Sequence, residues 1–386
     1  MKRKVLIVTL STVAALVLTA CGGGGNSSGG DDQPKAGTGS NTANQADGQV
    51  ADTSSTLVTA TPASTYTNTE EKAAFELLNA ERSRCGFGLL AQQAQLDVMA
   101  RGHANYLLRN NAVGHYQNTS EPFSTGNAPS DRALAAGYSY AVIRDANTDT
   151  FGANANLIAG RGEKGVRNLM SAPYHAAGLL AGSLDVGISV MSSDDVGTTG
   201  TYGPRSIVQI NSGFQQGFKA QLPDGGAVQT YPCEGTTGTA FELRGESPNP
   251  VPGRDLSANP IGQPVVVQVR EGQYLAITSA SMQKKDDGAV VALLPVLTKA
   301  TDTNGSLQQH QAVLMPGTSL LPNTEYVVTV AGSNQTANAD RSGPSGTNPA
   351  IKNNTIGAFS KSFTFRTGSF RPHRSAGLLK GGLAPP

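Results

Sequence analysis

Leu169-Met170-Ser171-Ala172-Pro173-Tyr174-His175-Ala176-Ala177-Gly178-Leu179-Leu180, followed after a short turn by Asp185-Val186-Gly187-Ile188-Ser189-Val190, is the stretch that decides the fold. A helix is predicted over 164–180, with Pro173 breaking or starting it because proline has no N–H for the helical ladder. Beyond Asp185 the period changes, since Val186, Ile188 and Val190 alternate with small or polar neighbours as in a half-buried strand. Upstream the pattern is helical. Thr69-Glu70-Glu71 supplies a cap and first-turn acids, Ala74, Phe75 and Leu78 form a stripe, and Cys85-Gly86 stops it. A second helix is expected over 94–110, with Leu96, Met99, His103, Tyr106 and Leu107 on one face. A short third runs over 130–136 and ends at Gly137. Downstream, 206–210 reads as a strand, and 218–231 as strands of a hairpin around Asp224-Gly225-Gly226. Helices first and strands after predict an α+β domain over 67–235.

Pro248, Pro250, Pro252 and Pro260 then mark a linker over 236–262. Beyond it the pattern is all β. Segments 264–270, 274–279, 289–297, 311–315, 326–330 and 359–365 suit a β-sandwich over 263–367. The segment Leu320-Leu321-Pro322-Asn323-Thr324-Glu325-Tyr326-Val327-Val328-Thr329-Val330 resembles the late strand of bacterial immunoglobulin-like modules. Residues 368–386 read as a disordered tail.

The amino terminus reads as an address. Lys2, Arg3 and Lys4 precede an uncharged, mostly apolar run over 5–20, the pattern of a secretory signal. The run ends Leu18-Thr19-Ala20-Cys21, which resembles a bacterial lipobox, and this implies a signal peptide over 1–20 and lipidation of Cys21. By the same resemblance, Gly22 after the cysteine implies the outer membrane. Acyl chains at about 0.8 kcal/mol per buried CH₂ anchor a protein firmly. Residues 21–66, rich in Gly, Ser and Thr, are expected to form a disordered tether with a reach of roughly 35–40 Å. The remaining Cys85 and Cys233 make an even pair in an oxidising compartment, read either as a disulfide or as two buried thiols.

Composition excludes several classes. With 29 Lys+Arg against 28 Asp+Glu, the net charge is +1, so no basic field for nucleic acid exists. Neither a collagen-like fibre nor a disulfide-dense miniprotein fits 46 Gly and 3 Cys in 386 residues.

Three motifs carry a family resemblance. The first is Leu77-Leu78-Asn79-Ala80-Glu81-Arg82-Ser83-Arg84-Cys85-Gly86. The second is Met99-Ala100-Arg101-Gly102-His103-Ala104, leading to Val113-Gly114-His115-Tyr116 and Ala135-Ala136-Gly137-Tyr138. The third is the opening stretch with its strand. Together they are similar to bacterial members of the CAP superfamily, the cysteine-rich secretory proteins, antigen 5 and pathogenesis-related proteins. The resemblance implies an α-β-α sandwich with a central cleft lined by two histidines, here His115 and His175. In many members two acids join them. The family's Gly-Glu-Asn-Ile segment falls near 154–160, where Ala155 takes the Glu position and Asn156 matches the Asn. No acid is placed by the motif, so neither ring has an expected carboxylate partner.

The expected cleft residues are therefore His115, His175, Tyr116, Tyr174 and Asn156. His115 and His175 are also the only metal candidates; two imidazoles hold zinc weakly, and no cofactor is expected otherwise. His103 lies on an apolar helical stripe and reads as packing, and no chemistry rests on His310 or His373. His-Glu-x-x-His, P-loop and Cys-x-x-Cys motifs are all missing. The leading expectation is an envelope-anchored module that binds an unknown lipid, peptide or protein ligand. Its alternatives are a metal-assisted or histidine-based hydrolase and a structural scaffold. Substituting Cys21→Ser should move the protein from the membrane fraction to the soluble fraction; unchanged fractionation by immunoblot would refute the anchor.

Overall fold

Residues 54–152, 159–199, 203–338 and 352–369 are described by a computed structural model of the chain. The expected signal peptide, Cys21, Asn156, His373 and nearly all of the tail lie outside the described residues. The first half holds helices α1 (Thr69–Arg84), α2 (Ala94–Arg109), α3 (Pro129–Ala135), α4 (Arg161–Met170) and α5 (Pro173–Leu179). Interleaved with them are strands β1 (Ala91–Gln92), β2 (Tyr140–Phe151), β3 (Asp185–Ser192) and β4 (Arg205–Gln215). These strands form one sheet in the order β1-β3-β4-β2, antiparallel except for the parallel pair β1 and β3.

Local chemistry explains the helix limits. Asn68, one residue before the predicted cap, accepts from the backbone N–H groups of Glu70 and Glu71 at 2.9 and 3.3 Å. Pro173 takes the first position of α5, where its missing N–H costs nothing, so the predicted single helix over 164–180 is two. The sheet has helices on both faces. Val186, Ile188, Val190, Val208 and Ile210 pack on Phe75, Leu78, Val166, Leu169 and Ala176 of α1, α4 and α5. The opposite face meets α2, through Leu107 and Leu108 with Ile207, and through Leu96 and Met99 with Tyr138. Gly187 permits that contact, because a Cβ there would stand 2.1 Å from the Leu96 carbonyl carbon.

The second half is all β. Strands β5 (Gln229–Tyr231), β6 (Thr236–Thr239), β7 (Val265–Gln268), β8 (Gln273–Lys284) and β9 (Val290–Val291) come first. β10 (Leu297–Thr298), β11 (Gln311–Leu314), β12 (Glu325–Asn338) and β13 (Lys352–Thr367) complete the set. They form a sheet in the order β10-β11-β7-β5 and another in the order β6-β13-β12-β8-β9. Val265, Val267 and Leu314 of the first pack on Met282, Val328, Val330, Phe363 and Phe365 of the second. The alternate side chains of the first, Val266 and Val313, join the core of α1, α4 and α5. The described residues therefore share a layered arrangement in which the layer of α1, α4 and α5 is covered by sheets on both sides.

Three sequence expectations change. Residues 236–262, expected as a linker, supply β6 and bury Phe241, Leu243, Leu256 and Ile261. The prolines there accompany irregular backbone, with Pro250 buried and Pro248 and Pro252 exposed. The expected hairpin over 218–231 reduces to β5. Around 222–224 the backbone instead bonds to the last stretch of the expected tether, with Thr56 N–H donating to the Leu222 carbonyl at 2.8 Å. Ser55 N–H likewise donates to Asp224 Oδ1 at 3.0 Å. Cys85 and Cys233 form a disulfide across a sequence separation of 148, joining the end of α1 to the turn between β5 and β6.

Leu307 is fully buried in the shared core. Substituting Leu307→Ala should cost about 2–5 kcal/mol and lower a single cooperative transition seen by calorimetry. Two separate transitions, with only one shifted, would contradict the shared core.

Candidate functional site

The site is built from the turn after α2. His103, fully buried on α2, stacks near Tyr106 and holds that turn. Its Nδ1 accepts from Gln117 Nε2 at 2.9 Å, and its Nε2–H donates to the Gly114 carbonyl at 3.0 Å. This pairing suits only the neutral ring, and burial holds its pKa down at about 4. Asn147 Nδ2 also donates to the Gly114 carbonyl, at 3.1 Å. Gly114 has φ +90°, a left-handed conformation that turns the chain and presents His115.

His115 Nδ1–H donates to Asp145 Oδ2 at 2.7 Å. Asp145 stands on β2, and its Oδ1 accepts from Arg132 at 3.0 Å, Gln209 at 2.9 Å and Asn211 at 2.7 Å. Across the cleft, His175 Nδ1–H donates to Glu246 Oε1 at 2.9 Å. The same oxygen accepts the backbone N–H groups of Tyr174 and His175 at 2.9 and 3.0 Å. Glu246 thus caps α5, whose own cap residue Ala172 has no acceptor side chain. Its other oxygen, Oε2, is buried without a hydrogen-bond partner.

The two imidazoles face one cleft, with ring centroids 5.5 Å apart and planes tilted by 33°. The cleft encloses about 170 Å³ and is also lined by Arg144, Tyr174, Ser212, Ser247 and Pro248. Burial by itself would lower the His115 pKa, but the hydrogen bond and charge of Asp145 outweigh it, and the pKa is raised. Burial would raise Asp145, yet the His115 hydrogen bond and the surrounding positive charge hold it well below the usual carboxylate range.

Of the residues expected in the cleft, His115, His175 and Tyr174 come together. The Tyr174 hydroxyl donates to Asp302 Oδ1 at 2.6 Å and accepts from Asn304 Nδ2 at 2.9 Å, tying α5 to the turn before β11. Tyr116 is 67% exposed and does not line it. His310 is buried and does not line this cleft, and burial with the charge of Arg144 lowers its pKa to about 4. The expectation that neither ring has a carboxylate partner is overturned by Asp145 and Glu246. Asp145 was hidden because β2 was not predicted; the alternation of Asp145, Asn147 and Asp149 has strand period but no apolar face. Glu246 lies outside every motif, and no local signal marks it.

Metal fit can be read from the donors. Each ring spends Nδ1 on a carboxylate, leaving one nitrogen apiece. Among the described residues no group of three or more His, Cys, Asp or Glu is placed to hold a metal ion. The set falls short of the three or four protein ligands that zinc sites use. A carboxylate-anchored imidazole can instead hold or exchange a proton at Nε2, with ring orientation already set. Among the described residues no serine or cysteine is hydrogen-bonded to either ring.

The His115–Asp145 pair makes a signed prediction. Its contribution through the raised His115 pKa is present below the unfolded value of about 6.5 and is lost as pH rises through the folded value. Asp145→Asn removes the two largest opposing influences and leaves burial and the Arg132 charge opposed only by the weaker influence of Glu246. The His115 pKa, followed by NMR of the ring protons, should then fall below about 6.5, and the loss of stability between neutral and alkaline pH should shrink. A His115 pKa unchanged in the variant would refute the pairing.

Residues 75–202 match the family described as CAP, the cysteine-rich secretory protein family. Among solved structures, an outer surface protein from Borrelia burgdorferi is similar, at 16% identity over 39% of this chain and 96% of that one, TM-score 0.29. An extracellular protein containing an SCP domain from Bacillus anthracis str. Ames is similar at 20% identity over 38% of this chain, TM-score 0.28. The chain spans 41% of the length of that second protein. No curated protein matches. The chain carries a CAP domain at residues 75–202, and all-β sheets follow it.

Proposed function

We propose that this chain is a lipid-anchored protein of the bacterial envelope, held outside the cytoplasm through Cys21, whose histidine cleft binds a ligand. One observation carries the reading: two imidazoles, each oriented by its own carboxylate, face each other at 5.5 Å across a small lined cleft. Paired, pre-oriented donors and acceptors in a concave site are what specific polar recognition needs. The β module, immunoglobulin-like in its late-strand sequence, acts here as a wall of that cleft, because Glu246, Ser247 and Pro248 reach it from beyond the CAP match. Among the described residues no helix is long and apolar enough to cross a membrane, so attachment in this reading rests on the lipid.

A second reading, a histidine-based hydrolase acting on envelope peptides, is favoured by the His115–Asp145 hydrogen bond, which resembles the base-and-orienter part of a catalytic unit. The test uses the purified protein and a His115→Asn/His175→Asn double variant of equal melting temperature. Both are incubated with an envelope lipid and peptide extract, and bound species are identified by mass spectrometry. Species retained by the parent and lost from the variant support binding. Equal retention by both refutes the cleft. Turnover of the extracted peptides that disappears in the variant overturns the binding reading in favour of the hydrolase.

A further inference from the structure

Beside the histidine cleft lies a second cavity of about 680 Å³ that shares Arg144, Asp145, Tyr174 and Gly178 with it. Its far wall comes from Glu271 and Gly272 and from the 306–311 turn that leads into β11. The volume is within the roughly 300–1,000 Å³ of small-ligand sites. Its lining is rich in amide and hydroxyl groups, including Ser306, Gln308 and Gln309.

Arg144 is the cation common to both chambers. Its Nη1 donates to Ser183 Oγ at 3.0 Å. Among the described residues no carboxylate oxygen lies within 4.0 Å of its guanidinium. Asp145, its neighbour in sequence, has both oxygens committed to His115, Arg132, Gln209 and Asn211. Glu271, exposed on the rim, acts on Arg144 only at longer range. His310, the other basic side chain of the cavity, is held neutral at ordinary pH by burial and by Arg144 itself. A half-buried guanidinium without a counter-ion is unfavourable, and an entering anion relieves it. With one such cation and Glu271 opposite, a monoanionic carboxylate fits better than a dianionic phosphate. Amide side chains along the wall match the main-chain groups of a peptide.

We propose that this cavity is a subsite for a short peptide bearing a carboxylate, with Arg144 binding that carboxylate and the peptide extending toward His115 and His175. The proposal rests on the cleft being a ligand site. The test titrates the whole folded protein with three probes: N-acetyl-trialanine, its carboxamide, and N-acetyl-Ala-Asp-Ala carboxamide. Binding is followed by calorimetry, together with NMR of the Arg144 Nε–H and of the His115 and His175 ring protons. Either carboxylate peptide should bind about tenfold or more tightly than the neutral carboxamide. Preference for the first shows recognition of a chain terminus, and preference for the third shows recognition of an acidic side chain. Arg144→Gln should erase the discrimination, and Arg144→Lys should retain part of it. Equal affinity for acid and amide, no binding of any probe, or discrimination unchanged in Arg144→Gln would overturn the proposal. Tighter binding of trigalacturonate than of either acidic peptide would overturn the peptide class. Shifts at Arg144 without shifts at either imidazole would keep the subsite and sink its connection to the histidine cleft.

Discussion

The helical layer of α1, α4 and α5 is apolar on two sides, and this constraint organises the rest of the molecule. One side is covered by the β1-β3-β4-β2 sheet through Val186, Ile188, Val208 and Ile210. The other is covered by β7, β10 and β11 through Val266, Leu297 and Val313, with Leu307 and Met315 filling between them. Burial of apolar area drives both contacts at about 25 cal/mol per Å². Once α5 is held between two sheets, its amino terminus faces the segment that follows β6. Glu246 can then reach the free N–H groups there. The shared core is thus what lets a residue from the β half take part in a cleft of the CAP half.

Electrostatics in the cleft follow from the same burial. Asp145 is nearly inaccessible and survives as an anion because four donors converge on it. His115 keeps 29% exposure and gains a raised pKa from that anion, whereas His103, fully buried and paired as a neutral ring, is lowered. Two histidines twelve residues apart therefore have pKa values shifted in opposite directions. The difference is one of partners, not of sequence type. Arg144, which has a hydroxyl partner and no close carboxylate, is the contrasting case on the same strand.

Much of the fold was legible because its signals are local. The stripes of α1 and α2, the alternation in β3, the proline at the start of α5 and the short strands after Pro264 all depend on neighbours within a turn or two. The histidines were legible through motif resemblance. Asp145 was not, since β2 carries acids and amides at alternate positions where buried strands usually carry aliphatic residues. His115 from the turn after α2, Arg132 of α3, and Gln209 and Asn211 of β4 together make an aspartate tolerable there. Glu246 was illegible for a different reason: its partners Tyr174 and His175 are about seventy residues away, and the prolines around it read as a linker.

By itself the sequence determined the positions of α1, α2, α3 and β3, the pair of cysteines Cys85 and Cys233, the two cleft histidines and a net charge unsuited to polyanions, but not the interleaving of β1 and β2 among the helices. These follow from periodicity, residue count and short motifs, all of which act over a few residues or over the whole composition. Tertiary structure alone decided that the two halves share one core, that each imidazole has a carboxylate, and that Arg144 lines two adjoining cavities with no carboxylate close to it among the described residues. Each of those depends on side chains brought together from distant positions, and chain distance carries no information about which of them will meet.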